Sequence, residues 1–335
     1  MEKKYLMGGA AAVIIIVVLA LALIVVPQIN GNMALQGETN KVRVGYTPLA
    51  HHAPLYMAIE KGYFAEAGIE IELSKFDSPN QITDAIQQGK IDFTGQGIAT
   101  GIAAVADYKN PGKVKLYMLS GGTTDHPSAR LLIHKDSVIT SIEELKGTKM
   151  GILGSSIQWR TVARELLAQN NLEADKDVIL VELAAGMQVQ ALASKQIDSL
   201  LALDPMGTMA LQTGIAKVLE QNPAEKVANG NTWLGTGAVN AEFLKKNPTT
   251  AKKFVEIMER AVKEIRENPE EATKYLSKYT PITAEIAPKI VVPQYRLCSE
   301  IGESELKDLQ SFLDIFTKYG IVDGKINGQE MLNCN

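Results

Sequence analysis

Side chains able to recognise a small polar molecule gather at a few places along the chain. Tyr46, His51 and His52 put a phenol and two imidazoles at a strand end and in the loop after it, and Gln96 with Gly97 adds a carboxamide beside an unobstructed backbone. A second group is Ser155, Ser156, Gln158, Trp159 and Arg160. Its serines precede a helical run, where they form an anion site with the following N–H groups or serve only as caps. Arg160, a cation in the first helical turn, opposes the helix dipole and needs an anion from a ligand or from a neighbouring carboxylate. Trp159 falls on the apolar stripe, as core packing or as a lid. Asp204, just before Pro205, is placed to hold an amine or to cap a helix. Arg160 and the serines at one end with Asp204 at the other suit a small anion or zwitterion.

Nothing in the pattern organises catalysis or a metal. His51, His52 and His126 lack a His-x-x-x-His spacing and a Cys pair, so no metal site is expected. There is no G-x-S-x-G, no His-Glu-x-x-His and no phosphate loop, and Gly95-Gln96-Gly97 does not extend to G-x-G-x-x-G. The expectation is a protein without catalytic activity and without a cofactor.

The elements that must position these residues follow from periodicity. Val42, Val44 and Tyr46 alternate with Arg43 and Gly45 as a strand, and Thr47-Pro48 ends it. Pro54 opens a helix carrying Leu55, Ala58 and Ile59, which Gly62 closes. A strand through Ile69, Ile71 and Leu73 follows, then a helix capped by Ser78 with Pro79 in its first turn. Residues 113–120 form another strand. A second unit repeats this order with a strand at 148–153, a helix at 158–168 and a strand at 178–183. The segment 187–198 (MQVQALASKQID) also aligns with 81–92 (QITDAIQQGKID), matching Asp92 with Asp198. Two β-α-β-α units imply two lobes with facing loops at the C-terminal ends of their strands, and a cleft between them. Residues 231–239 read as an extended crossing back to the first lobe. The remainder is helical, at 249–267, 269–277, 283–289 and 304–319.

Composition bounds the function. A chain of 335 residues, 46% hydrophobic and of net charge −4, is large enough for two cores and lacks the basic excess of a nucleic-acid binder. From Leu6 to Val26 there are twenty-one residues without a charge, which as a helix would be roughly 31 Å long and span a bilayer. That length favours an uncleaved anchor over an export signal. Lys3 and Lys4 before it, with no Lys or Arg in 27–40, place the N-terminus in the cytoplasm and the folded part outside. The expected division is an anchor or signal helix at 1–26, a tether at 27–40, one lobe from 41–124 plus 240–335, and a second lobe from 125–239. Cys298 and Cys334 are the two cysteines; they either pair or remain as one buried thiol and one in a loose tail.

The runs GYTPLAHHAPLYMAIEKGYFAEAGIEIE, AIQQGKID, IEELKGTKMGILGSS, ALASKQIDSLLALDP and AEFLKKNP, in that order, resemble the extracytoplasmic substrate-binding proteins of ABC importers. The closest branch is the nitrate, sulfonate and taurine group together with the thiamine-pyrimidine-precursor binders, and the likeness covers about residues 41–320. It implies an α/β type II periplasmic-binding-protein fold. It also implies a monomer that closes on a small ligand and delivers it to an ABC permease and its ATPase subunits at the outer face of the membrane. A taurine-like sulfonate is the first expected ligand, a thiamine-pyrimidine or flavin-type precursor the alternative. Some enzymes of pyrimidine and menaquinone synthesis share the fold, but the cysteine-rich motif of the pyrimidine synthases is absent.

Overall fold

Val42 and Val44 are fully buried while Lys41 is exposed, so the alternation read from the sequence sets one strand against a core. The computed structural model describes residues 37–335 apart from 124, 125, 128, 333 and 335. The expected membrane helix and residues 27–36 of the tether lie outside the described residues, among which no helix is long and apolar enough to cross a membrane.

Twelve strands form among the described residues: β1 (Lys41–Tyr46), β2 (Glu70–Lys75), β3 (Phe93–Thr94), β4 (Ile98–Ala99), β5 (Val114–Gly122), β6 (Ala129–His134), β7 (Lys149–Leu153), β8 (Ile179–Leu183), β9 (Ser199–Leu203), β10 (Ala216–Glu220), β11 (Thr232–Asn240) and β12 (Gln294–Leu297). They make two sheets. The larger runs β12-β5-β11-β3-β1-β2 with β4 beside β11, and the smaller runs β10-β6-β9-β7-β8. Within each, a parallel set (β2-β1-β3 and β8-β7-β9) meets an antiparallel neighbour. The chain passes from the larger sheet to the smaller through residues 123–128 and returns through 221–231. Residues 232–239, read from the sequence as a crossing and grouped with the second lobe, are buried throughout and hydrogen-bond between β5 and β3 in the larger sheet.

The internal repeat has a structural meaning. Asp92 accepts the backbone N–H of Arg43 at 2.9 Å in β1, and Asp198 accepts that of Lys149 at 2.9 Å in β7. Each aspartate thus ties the end of one αβ connection to the neighbouring parallel strand. The aligned positions Gly89 and Lys195 both take a left-handed conformation, at φ 66° and 57°, to turn the chain out of the preceding helix.

Six helices of eight or more residues pack on these sheets: α1 (Ala53–Glu60), α2 (Pro79–Gln87), α3 (Thr100–Lys109), α4 (Ile157–Gln169), α5 (Pro248–Glu267) and α6 (Glu303–Lys318). Phe254, Met258, Ala261 and Ile265 bury one face of α5, and Leu309, Phe312, Leu313 and Phe316 that of α6. The expected helix over 283–289 reduces to a 3-10 turn at Ala287–Lys289, where Pro288 supplies no N–H to continue it. Cys298 and Cys334 form a disulfide, fastening the C-terminal tail beside β12.

Candidate functional site

The C-terminal ends of the parallel strands in both sheets converge on one small cavity, the place where open α/β sheets hold ligands. The larger sheet contributes Leu49 and His51 from the loop after β1, Pro79 from α2, Gly97 and Ala99 around β4, and Leu234 and Gly235 from β11. Opposite stand Leu153 at the end of β7, Gln158 and Trp159 on α4, and Leu203 at the end of β9. The cavity measures about 20 Å³, room for about one water molecule. A larger hollow of about 440 Å³ opens at the cleft mouth between Tyr46, Lys75, Asp77 and Tyr279 on one side and residues 184–186 on the other.

Two contacts hold the walls together. Gln158, 1% exposed, accepts the Gly101 N–H through Oε1 at 2.8 Å and donates through Nε2 to the Leu234 carbonyl at 2.9 Å. Ala50 donates its N–H to the Asp204 carbonyl at 3.2 Å. Behind the cavity, Glu165 on α4 accepts from Lys318 and from the Tyr319 hydroxyl, anchoring that helix to the end of α6.

The histidines are interior rather than loop-surface groups. Thr47 donates its N–H to His52 Nε2 at 3.1 Å, so the neutral ring carries its proton on Nδ1. The ring fits because residues 95 and 97 are glycines: a Cβ at Gly97 would sit 2.1 Å from Nε2, and one at Gly95 would sit 2.4 Å from Nδ1. Burial pulls the His51 pKa down to about 4, and burial with the adjacent His51 pulls His52 down to about 3. Both are neutral at pH 7. Among the described residues, His51 Nδ1, His52 Nδ1, both amide atoms of Gln96 and Thr100 Oγ1 are buried without a hydrogen-bond partner. Buried polar atoms rarely remain so; of these, His51 Nδ1 belongs to a residue that lines the cavity, and the others sit in the larger-sheet wall behind it.

The structure therefore gathers His51, Gly97, Gln158 and Trp159 on the cavity and sets His52 and Gln96 just behind it. Tyr46 lies at the cleft mouth, edge-on to Tyr56 and Tyr279. Ser156 caps α4 by accepting the Trp159 N–H, while Ser155 is exposed, with φ 49° and its N–H on Glu182. Arg160 turns outward: its guanidinium pairs with Asp175 at 2.6 Å and Glu182 at 3.2 Å, the carboxylate alternative of the sequence reading. Asp204 accepts from the Thr208 N–H and pairs at 3.2 Å with Arg130, both side chains buried. Sequence reasoning missed Arg130; its one signal was a lone arginine in the apolar run of β6. His126 borders a separate groove of about 400 Å³ with Arg266, Pro293 and Tyr295.

Comparison with known proteins places this geometry. The chain is 25% identical over 288 residues to the 4-amino-5-hydroxymethyl-2-methylpyrimidine phosphate synthase THI11 of Saccharomyces cerevisiae, covering 83% of this chain and 81% of that one. It is 21% identical over 312 residues to a putative aliphatic sulfonates-binding protein of Bacillus subtilis, covering 91% and 89%. The alkanesulfonate-binding protein SsuA of Xanthomonas axonopodis pv. citri, solved with MOPS bound, superposes with a TM-score of 0.72 at 14% identity over 89% of this chain and 99% of that one. The fold is thus the α/β type II periplasmic-binding-protein fold, two lobes about a cleft. The expectation of a protein without catalytic activity is corrected by these findings. THI11 is named as a synthase, and the desulfurization enzyme DSZB shares the fold with a TM-score of 0.63 at 15% identity, covering 88% and 96%. Absence of the hydrolase, zinc-protease, phosphate-loop and cysteine-rich motifs from the sequence does not exclude catalysis on this fold. Residues 50–272 match the family described as NMT1/THI5 like, and the chain belongs to that family.

Proposed function

We propose that this protein binds a small organic solute between its two lobes and presents it, on the extracytoplasmic side, to an ABC permease and its ATPase subunits. One observation carries the reading. Strand ends from two separate sheets converge on a small cavity that Gln158 spans with hydrogen bonds to the opposite wall, the arrangement a closing clamp requires. Opening would expose His51, Gln158 and Trp159 together. The lobes in this reading are residues 41–122 with 232–335, and 129–220, carried on the N-terminal segment as anchor. Thermal-shift screening against taurine, alkylsulfonates, nitrate, pyrimidines and flavins, with small-angle scattering of each stabilised sample, tests it. Stabilisation with contraction supports the clamp; no solute altering either quantity would sink it.

A second reading, conversion of the bound solute, is favoured by the synthase name of the yeast relative. Mass spectrometry of each stabilising solute after incubation with the protein distinguishes the two.

A further inference from the structure

We infer that the solute is uncharged where it meets the inner walls: a small molecule with a donor and acceptor edge, and not a sulfonate, nitrate or other anion. The inference rests on the cleft-binding reading above and names its ligand class. The side chains lining the cavity include no Lys, Arg, Asp or Glu; their hydrogen-bonding groups are the His51 imidazole, the Gln158 carboxamide and the Trp159 indole. The nearby cations are already committed. Arg130 pairs with Asp204 and Arg160 with Asp175 and Glu182, so neither offers a free charge to an incoming anion.

Helix N-termini are the other common anion site, and three of them, from α2, α3 and α4, reach this cavity. One donor in the first turn of each is taken within the chain, that of Gly101 for as long as the lobes stay closed. Ser78 Oγ accepts the Gln81 N–H, Gln158 Oε1 the Gly101 N–H, and Ser156 Oγ the Trp159 N–H. An anion closed in here would lose its water without gaining a paired cation, an unfavourable exchange. A neutral molecule faces no such penalty. His51 Nδ1, buried and without a partner, supplies a bond for it, and Gln158 offers one donor and one acceptor once the lobes part. Lys75 borders the outer hollow, and Lys278 there is held by Glu60. Those charges lie at the cleft mouth, where water and salt screen them.

Isothermal titration of the full-length protein at low and high sodium chloride tests this, with uracil and nicotinamide as uncharged probes and methanesulfonate, taurine and nitrate as charged ones. The expected result is binding of an uncharged probe with a Kd that changes less than about twofold between the two salts, and no heat from the charged probes. His51→Gln, which keeps a donor and an acceptor, retains that binding, whereas His51→Ala weakens it about tenfold or more. A charged probe that binds and loses about tenfold affinity at high salt overturns the inference while leaving the clamp intact. Silence from both uncharged probes also overturns it, and the clamp is then judged by the scattering screen alone.

Discussion

Replacing Gln158 by alanine separates closure from folding. In the closed protein the substitution leaves the Gly101 N–H and the Leu234 carbonyl without their partner, in a place where Gln158 itself is 1% exposed. A buried backbone group so orphaned costs about 1–3 kcal/mol, and partial wetting of the enlarged cavity brings the pair to about 2–4 kcal/mol. When the lobes part, water satisfies both groups and the cost vanishes. The closed-to-open ratio should therefore fall roughly 30- to 900-fold. Spin labels at exposed sites on the two lobes, for example Lys109→Cys and Lys176→Cys, report this as a longer distance distribution in Gln158→Ala without solute. Gln158→Glu is the companion: its carboxylate can still accept from Gly101 but repels the Leu234 carbonyl, so it opens too. An unchanged distance distribution in both variants would refute the latch, whatever their melting temperatures.

Three further outcomes concern the buried histidines, the glycine packed against one of them and the disulfide. His51 and His52 stay neutral in the folded state to about pH 4 and 3, while an unfolded histidine takes its proton near 6.5. Stability is thus complete above about pH 6.5 and falls as pH drops from there, by up to about 1.4 kcal/mol per pH unit for each ring. Urea unfolding at pH 7.5 and pH 5 measures it, and equal stabilities would contradict the burial. Gly97→Ala would drive a methyl group to 2.1 Å from His52 Nε2; overpacking of this kind costs about 1–3 kcal/mol, and an unaltered urea midpoint would show that the ring is free to move. Paired Cys298→Ser and Cys334→Ser changes open a loop of sequence separation 36, worth up to about 4 kcal/mol of chain entropy. Adding reductant to the parent protein should reproduce the loss, and no effect of either would mean that the tail is held by its packing.

The parts of the fold legible in the sequence were those set by local periodicity. The alternation through Val42 and Val44, the Ser78 cap and the stripe of α6 each depend on residues within one or two turns. The aspartate repeat was legible as well, because Asp92 and Asp198 do the same work in equivalent units. The site was less legible, since its partners come from far along the chain. Gln158 reaches residues 57 and 76 positions away, and Arg130 finds Asp204 across 74. Arg160 showed how a correct local argument can leave its answer open: a first-turn cation does need an anion, but the anions proved to be Asp175 and Glu182. Burial of His51 and His52 had only the glycines at 95 and 97 as a signal, and a glycine pair alone does not say which ring it admits.

The proposed solute site lies between the lobes, against His51, Gln158 and Trp159. A crystal structure of the protein with the solute that most raises its melting temperature tests this most directly. Density is expected in the interlobe cleft, within hydrogen-bond distance of His51, with the Gln158 carboxamide swung from its present partners. Density in the groove beside Pro293 and Tyr295, with the interlobe cavity unchanged, would contradict it.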